Sequence, residues 1–201
     1  MPTLLAALGE ILRPALVQRG TIQLTEPDPG STCQAITLHK SGHAFVLRPD
    51  LAAGAVCPRP GCGLALNAPD RLFPLFRLDV PGLSAMCDYI VFCQEGSGSD
   101  ERIFVLFCEL KSGRAAGSRQ QIENARLLAD YILEMALHHQ TVRPRPRVER
   151  RGLVFSPEYA VPKGSLRRVR CKYELLPNGF ADLPFAYYSS GAEYPLEHFC
   201  T

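Results

Sequence analysis

Two carboxylates and an ammonium stand at the ends of two apolar runs in the middle of the chain. Asp88 opens the run Asp88-Tyr89-Ile90-Val91-Phe92-Cys93, and Glu109-Leu110-Lys111 closes the run that begins at Ile103. Residues two apart on a strand share a face, so Glu109 and Lys111 project together while Leu110 points the other way. If the runs pair antiparallel, the start of the first meets the end of the second, and Asp88 arrives beside them. Mg²⁺ takes oxygen ligands and keeps waters beside one or two carboxylates and substrate phosphate. Such an ion lowers the pKa of a bound water and neutralises charge on a phosphoryl group. A lysine adds positive charge where negative charge develops. An isolated Glu-x-Lys is usually a weak surface ion pair. Here an upstream Asp on its own apolar run and a helix downstream supply context.

These side chains need a sheet and a helix to hold them. Both runs are rich in aromatic and β-branched residues and are separated by the polar segment from Gln94 to Glu101, which predicts an antiparallel hairpin with a long loop. Neither run alternates cleanly, which predicts strands covered on both faces. After a connector at residues 112–117, Ser118 and Gln121 have capping-box spacing. Ile122, Ala125, Ala129, Ile132 and Ala136 then follow at helical spacing, predicting one amphipathic helix to about Leu137. Gly152-Leu153-Val154-Phe155-Ser156 reads as the next strand, parallel to an earlier one if the helix is a crossover.

With these pieces in view, residues 85–136 and the following strand resemble the PD-(D/E)xK nuclease superfamily. The resemblance rests on Asp88, on Glu109-Leu110-Lys111 at a strand end, and on a helix beginning near Gln121. Cys87 takes the place of the motif's proline, and Ala125 stands four residues after Gln121 where some relatives carry tyrosine. The resemblance implies an α/β fold with a restriction-endonuclease-like αβββαβ core, a central mixed sheet flanked by helices, and metal-dependent phosphodiester cleavage. It implies that Asp88, Glu109 and the Leu110 carbonyl hold Mg²⁺ or Mn²⁺, and that Lys111 positions or polarises the attacking water. Gln121 is either a helix cap or a group that reaches the scissile phosphate or its water. In parts of the superfamily a helix-borne acid joins the metal, which makes Glu10 a candidate; otherwise Glu10 is an exposed helix residue.

The remaining sequence bounds these expectations. A chain of 201 residues that is 46% hydrophobic and 21% charged is expected to fold as one domain spanning residues 1–201. No apolar run reaches membrane-spanning length. The N-terminus lacks a basic segment before its apolar stretch, so no signal peptide is expected. Several of the 8 cysteines sit inside strand runs, which points to reduced thiols in the cytoplasm rather than a disulfide scaffold. Cys57 and Cys62 flank a Pro/Gly turn and could form half of a structural zinc site with His39 and His43. An ordinary turn with two small thiols is the simpler reading.

Residues 111–201 hold 14 Lys and Arg against 9 Asp and Glu, with the excess between Arg143 and Lys172. Arg167, Arg168 and Arg170 lie in that stretch, and Arg114 and Arg119 lie near Lys111 in sequence, so all five are candidate contacts to a nucleic-acid backbone. A solvated basic face is the alternative. Thr3 caps an expected opening helix over Thr3–Val17 that Pro14 ends or kinks, with Leu4, Leu5, Leu8, Ile11 and Leu12 on one face. Ala35–Leu38 and Ala44–Leu47 are expected to form a hairpin about Lys40-Ser41-Gly42. Val169–Leu176 and Pro184–Tyr188 are expected strands around a turn at Pro177-Asn178-Gly179.

The reading that joins these features is a metal-dependent nuclease acting on nucleic acid, DNA ahead of RNA, with a second copy or a partner protein supplying specificity. Fold-level analogy places it in bacterial-type DNA processing, repair or defence. The alternative is a non-catalytic nucleic-acid-binding or assembly module on the same fold.

Overall fold

The two central apolar runs form strands β5 (Tyr89–Glu95) and β6 (Arg102–Leu110), paired antiparallel from Tyr89 opposite Cys108 to Glu95 opposite Arg102. They belong to a computed structural model that describes residues 3–12, 17–18, 21–26, 30–39, 43–49, 82–83, 85–97, 100–113, 116–140, 142, 145–159 and 172–201. The lack of alternation has the expected cause. Ile103, Val105 and Phe107 enter one core cluster, while Phe104, Leu106, Cys108 and Leu110 enter another on the opposite face.

Around this pair the chain builds a six-stranded mixed sheet. The other strands are β1 (Val17–Gln18), β4 (Ala44–Leu47), β7 (Arg147–Ser156) and β8 (Phe185–Ser189), in the order β1-β4-β5-β6-β7-β8. The pairs from β1 to β6 are antiparallel, and β6–β7 and β7–β8 are parallel. A parallel pair needs a crossover connection. Helix α2 (Ser118–His139) supplies it between β6 and β7. Helix α1 (Leu4–Ile11) and α2 cover one face of the sheet. The other face lies against a second mixed sheet of β2 (Ile22–Leu24), β3 (Ile36–His39) and β9 (Glu193–Pro195), followed by a 3₁₀ turn at Leu196–Phe199. No helix among the described residues is long and apolar enough to cross a membrane.

Several local expectations are met and several are corrected. Thr3 caps α1 and accepts from Ala6 N–H at 3.3 Å, but α1 ends at Ile11 and Val17 already lies in β1. The predicted β3–β4 hairpin does not form. β3 pairs with β2 and β9, whereas β4 pairs with β1 and β5. Burial explains the separation. β4 buries Phe45, Val46 and Leu47 in succession, which suits a strand covered on both faces, whereas β3 buries only Ile36 and Leu38. The capping box is also absent, because Gly117 is the N-cap in the left-handed region at φ 81° and Ser118 is already helical.

Near the C-terminus, residues 169–171 of the expected strand lie outside the described residues, and Glu174 makes an isolated bridge to Phe185. The expected turn is present, with Gly179 N–H donating to Leu176 O at 3.2 Å. Cys33, Cys87, Cys93, Cys108 and Cys200 are free thiols.

Candidate functional site

Asp88, Glu109 and Lys111 meet where β5 begins and β6 ends. The last paired residues are Tyr89 and Cys108. Continuing that register by one residue sets Asp88 across from Glu109. Asp88 has the parity of Ile90 and Phe92, and Glu109 that of Phe107, so both lie toward the helix-covered face. The Asp88 carboxylate accepts from Leu110 N–H at 2.7 Å. On the opposite edge of β6, Lys111 N–H donates to Phe155 O at 2.8 Å. A trans peptide carries its C=O and N–H on opposite sides. The Leu110 carbonyl is therefore turned toward the Asp88 side of the strand.

Lys111 is held from two directions. Its Nζ lies 2.6 Å from Glu109 Oε1 and donates to Gln121 Oε1 at 2.7 Å. Gln121 in turn donates from Nε2 to Met86 O at 3.3 Å. Gln121 is thus a link from α2 to the lysine and to the segment preceding Asp88, rather than a helix cap. The loop after β2 closes over the same end of the sheet. Ser31 Oγ is 2.7 Å from Ser112 Oγ, and Thr32 Oγ1 donates to Ser112 O at 2.7 Å.

Glu109 is the unusual group. Its side chain is 2% exposed, and Oε2 is buried with no hydrogen-bond partner. Burial first, and then the charge of Asp88, push its pKa up to about 8, against the hydrogen bond and charge of Lys111. A buried polar atom without a partner costs free energy, about 1–3 kcal/mol in proteins and more for a charged group. A divalent cation between Glu109, Asp88 and the Leu110 carbonyl would remove that cost. Among the described residues, no three His, Cys, Asp or Glu side chains are placed to hold one ion. Asp88, Glu109 and the Leu110 carbonyl would offer a cation two carboxylates and a carbonyl, a hard oxygen set that would suit Mg²⁺ or Mn²⁺ with retained waters better than zinc.

The other candidates fare differently. Glu10 lies exposed on α1, opposite the buried Leu4, Leu5, Ala7 and Leu8, and is not among the groups acting on Glu109. It does not join the site. Arg119 pairs with Glu123 at 2.9 Å, one helical turn along α2. Arg114, Arg167, Arg168 and Arg170 lie outside the described residues, as do Cys57 and Cys62. The two histidines considered for zinc part company. His39 pairs with Glu193 at 2.9 Å, while His43 lines a cavity of about 380 Å³ with Cys93 and Cys200.

The basic stretch after Arg143 is largely paired where it is described. Arg150 bonds Asp130 and Asp182, Arg147 and Arg151 bond Glu149, and Lys172 bonds Glu174. These acids lie on α2, on β7 and in the 174–182 segment.

Asn124 carries a contact to the site that the sequence reading passed over. Its Nδ2 donates at 2.8 Å to both Gly82 O and Ala85 O, just before Asp88. A polar residue three positions after Gln121, on a helix otherwise apolar on its buried side, was the available signal. Comparison of the chain with family models, curated proteins and solved structures returns no match.

Proposed function

We propose that the protein is a metal-dependent nuclease that hydrolyses phosphodiester bonds, with DNA the first substrate to test. The observation that carries this reading is the buried, unbonded Oε2 of Glu109 beside Asp88, with Lys111 locked against the same carboxylate. Other buried side-chain atoms also lack a partner, Glu101 Oε1 among them, and what sets Glu109 apart is its place beside both Asp88 and Lys111. The element order supports the same reading. The succession α1, β4–β5–β6 antiparallel, α2, then β7 parallel to β6 is what a restriction-endonuclease-like αβββαβ core requires.

In this reading Asp88, Glu109 and the Leu110 carbonyl would hold Mg²⁺ or Mn²⁺. The ion supplies Lewis acidity and an acidified water when bound. The water oxygen forms a bond to phosphorus and one phosphorus–oxygen ester bond breaks. The products are a phosphate monoester and an alcohol, the alcohol taking up a proton and the attacking water losing one. Lys111 places an ammonium beside the reacting phosphoryl group and stabilises the charge that develops there. Gln121 fixes that ammonium by accepting from it. Among the described residues of the basic stretch, Arg147, Arg150, Arg151 and Lys172 are each engaged with an acid, so these four lend the binding-module alternative no support.

The test is cleavage of mixed DNA and RNA substrates in Mg²⁺, Mn²⁺ or EDTA by the wild type, Glu109→Ala and Lys111→Ala. Metal-dependent cleavage lost in both variants is the expected result. Nucleic-acid binding that is equal in all three proteins, with no cleavage by any, would move the protein to the binding-module class.

A further inference from the structure

Gly82 and residues 85–87 precede Asp88, and α2 grips that approach by its carbonyls. Asn124 Nδ2 donates to Gly82 O and to Ala85 O, each at 2.8 Å. Gln121 Nε2 donates to Met86 O at 3.3 Å. Residues three apart on a helix share a face, so Gln121 and Asn124 form one polar strip beneath the segment. The segment is shaped to lie on that strip. Gly82 has φ +76°, and a Cβ there would overlap the Gln120 amide. Ala85 N–H donates to Gly82 O at 3.2 Å and closes the turn. One residue further on, Cys87 is fully buried in the helix-side core.

Asn124 is placed for this task and not for helix stability. Asn is an indifferent helix former because its side chain competes for backbone groups. Here it lies within α2, half-buried, with both hydrogens of one NH₂ group serving two carbonyls. Alanine offers no donor, and aspartate would set carboxylate oxygens against the two carbonyls. Asp88 is tied to Leu110 on β6. Its approach is tied to α2. The β5–β6 pairing and these two anchorages together set where Asp88 stands relative to Glu109.

We propose that Asn124 is a positioning residue that holds Asp88 at the separation from Glu109 a divalent cation requires. The proposal rests on the metal-site reading above. Groups that orient metal ligands without touching the metal change affinity by roughly 10–100-fold. Asn124 acts in that way, through the backbone that carries Asp88.

The experiment is calorimetric titration of Mn²⁺ into wild type, Asn124→Ala, Asn124→Ser and Asp88→Asn, well below each protein's melting temperature. Asn124→Ala is expected to weaken Mn²⁺ binding ~10-fold or more. Asn124→Ser, whose single hydroxyl donor can serve only one of the two carbonyls, is expected to lose less. Asn124→Ala with wild-type affinity, or Asn124→Ser with wild-type affinity should the alanine variant not fold, overturns the proposal. A lowered melting temperature at unchanged affinity overturns it too, because Asn124 would then be structural only. Asp88→Asn separates the two levels. If it binds Mn²⁺ as the wild type does, the metal-site reading itself fails. If it loses Mn²⁺ while the Asn124 variants keep it, only the positioning role fails.

Discussion

Two clusters of charge lie along α2, and they are built to opposite effect. In the middle of the helix, Arg126 and Asp130 meet Arg150 of β7 and Asp182 in a network with two positive and two negative groups. Desolvation works to raise the Asp182 pKa, but hydrogen bonds from Arg126 and the charges of Arg126 and Arg150 pull it below the ordinary carboxylate range. At the start of the helix, Gln121 faces Asp88, Glu109 and Lys111, where carboxylates outnumber the cation. There burial and Asp88 push Glu109 up to about 8, and Oε2 has no partner. The first cluster balances its charges, although Arg126 Nε is buried without a partner there. In the second, two carboxylates share the single ammonium of Lys111, and burial with the charge of Asp88 favours the protonated form of Glu109. The two clusters differ in how they hold a carboxylate, Asp182 lowered in pKa in the first and Glu109 raised in the second.

The contrast can be broken or sharpened by substitution. The largest effect is expected at the second cluster, where Glu109→Gln or Lys111→Ala should lower the cleavage rate in Mg²⁺ by about 10³-fold, read from initial rates on a labelled DNA. A pH effect on stability comes next. Glu109 holds its proton in the folded protein between its ordinary 4.5 and about 8, where the unfolded chain has lost it. The folded state then binds more protons, so stability in EDTA falls as pH rises through that window, by at most about 1.4 kcal/mol per pH unit. Denaturant melts across that range should show the slope in the wild type and lose it in Glu109→Gln.

The first cluster should behave in the reverse way. Asp130→Ala strips a partner from both Arg126 and Arg150 and should cost about 1–3 kcal/mol in thermal unfolding while leaving cleavage unchanged. The smallest effect is expected at the partly exposed Arg119–Glu123 pair. Arg119→Ala should cost about 0.3–0.5 kcal/mol by the same melt.

What the sequence disclosed follows from the range of the interactions involved. β5, β6 and α2 were legible because long apolar runs and a helical repeat are local signals, and strand parity then placed Glu109 with Lys111. Asp88 followed from the antiparallel pairing. The β3–β9 pair was hidden because three short-strand residues meet a partner more than 150 positions away. The false β3–β4 hairpin arose because proximity in sequence was the only guide to pairing there. The ion pairs of Arg150 were not legible because Asp130 and Asp182 are remote in sequence. Ser118 and Gln121 matched a capping box by spacing, yet Gly117 takes the cap and Lys111 takes the glutamine.

The most direct measurement is Mn²⁺ titration by calorimetry into wild type, Glu109→Gln and Asp182→Asn. The wild type and Asp182→Asn should bind the ion, and Glu109→Gln should lose it. Equal binding by all three proteins, or binding by none, would contradict the assignment of the Asp88–Glu109 cluster as the cation site.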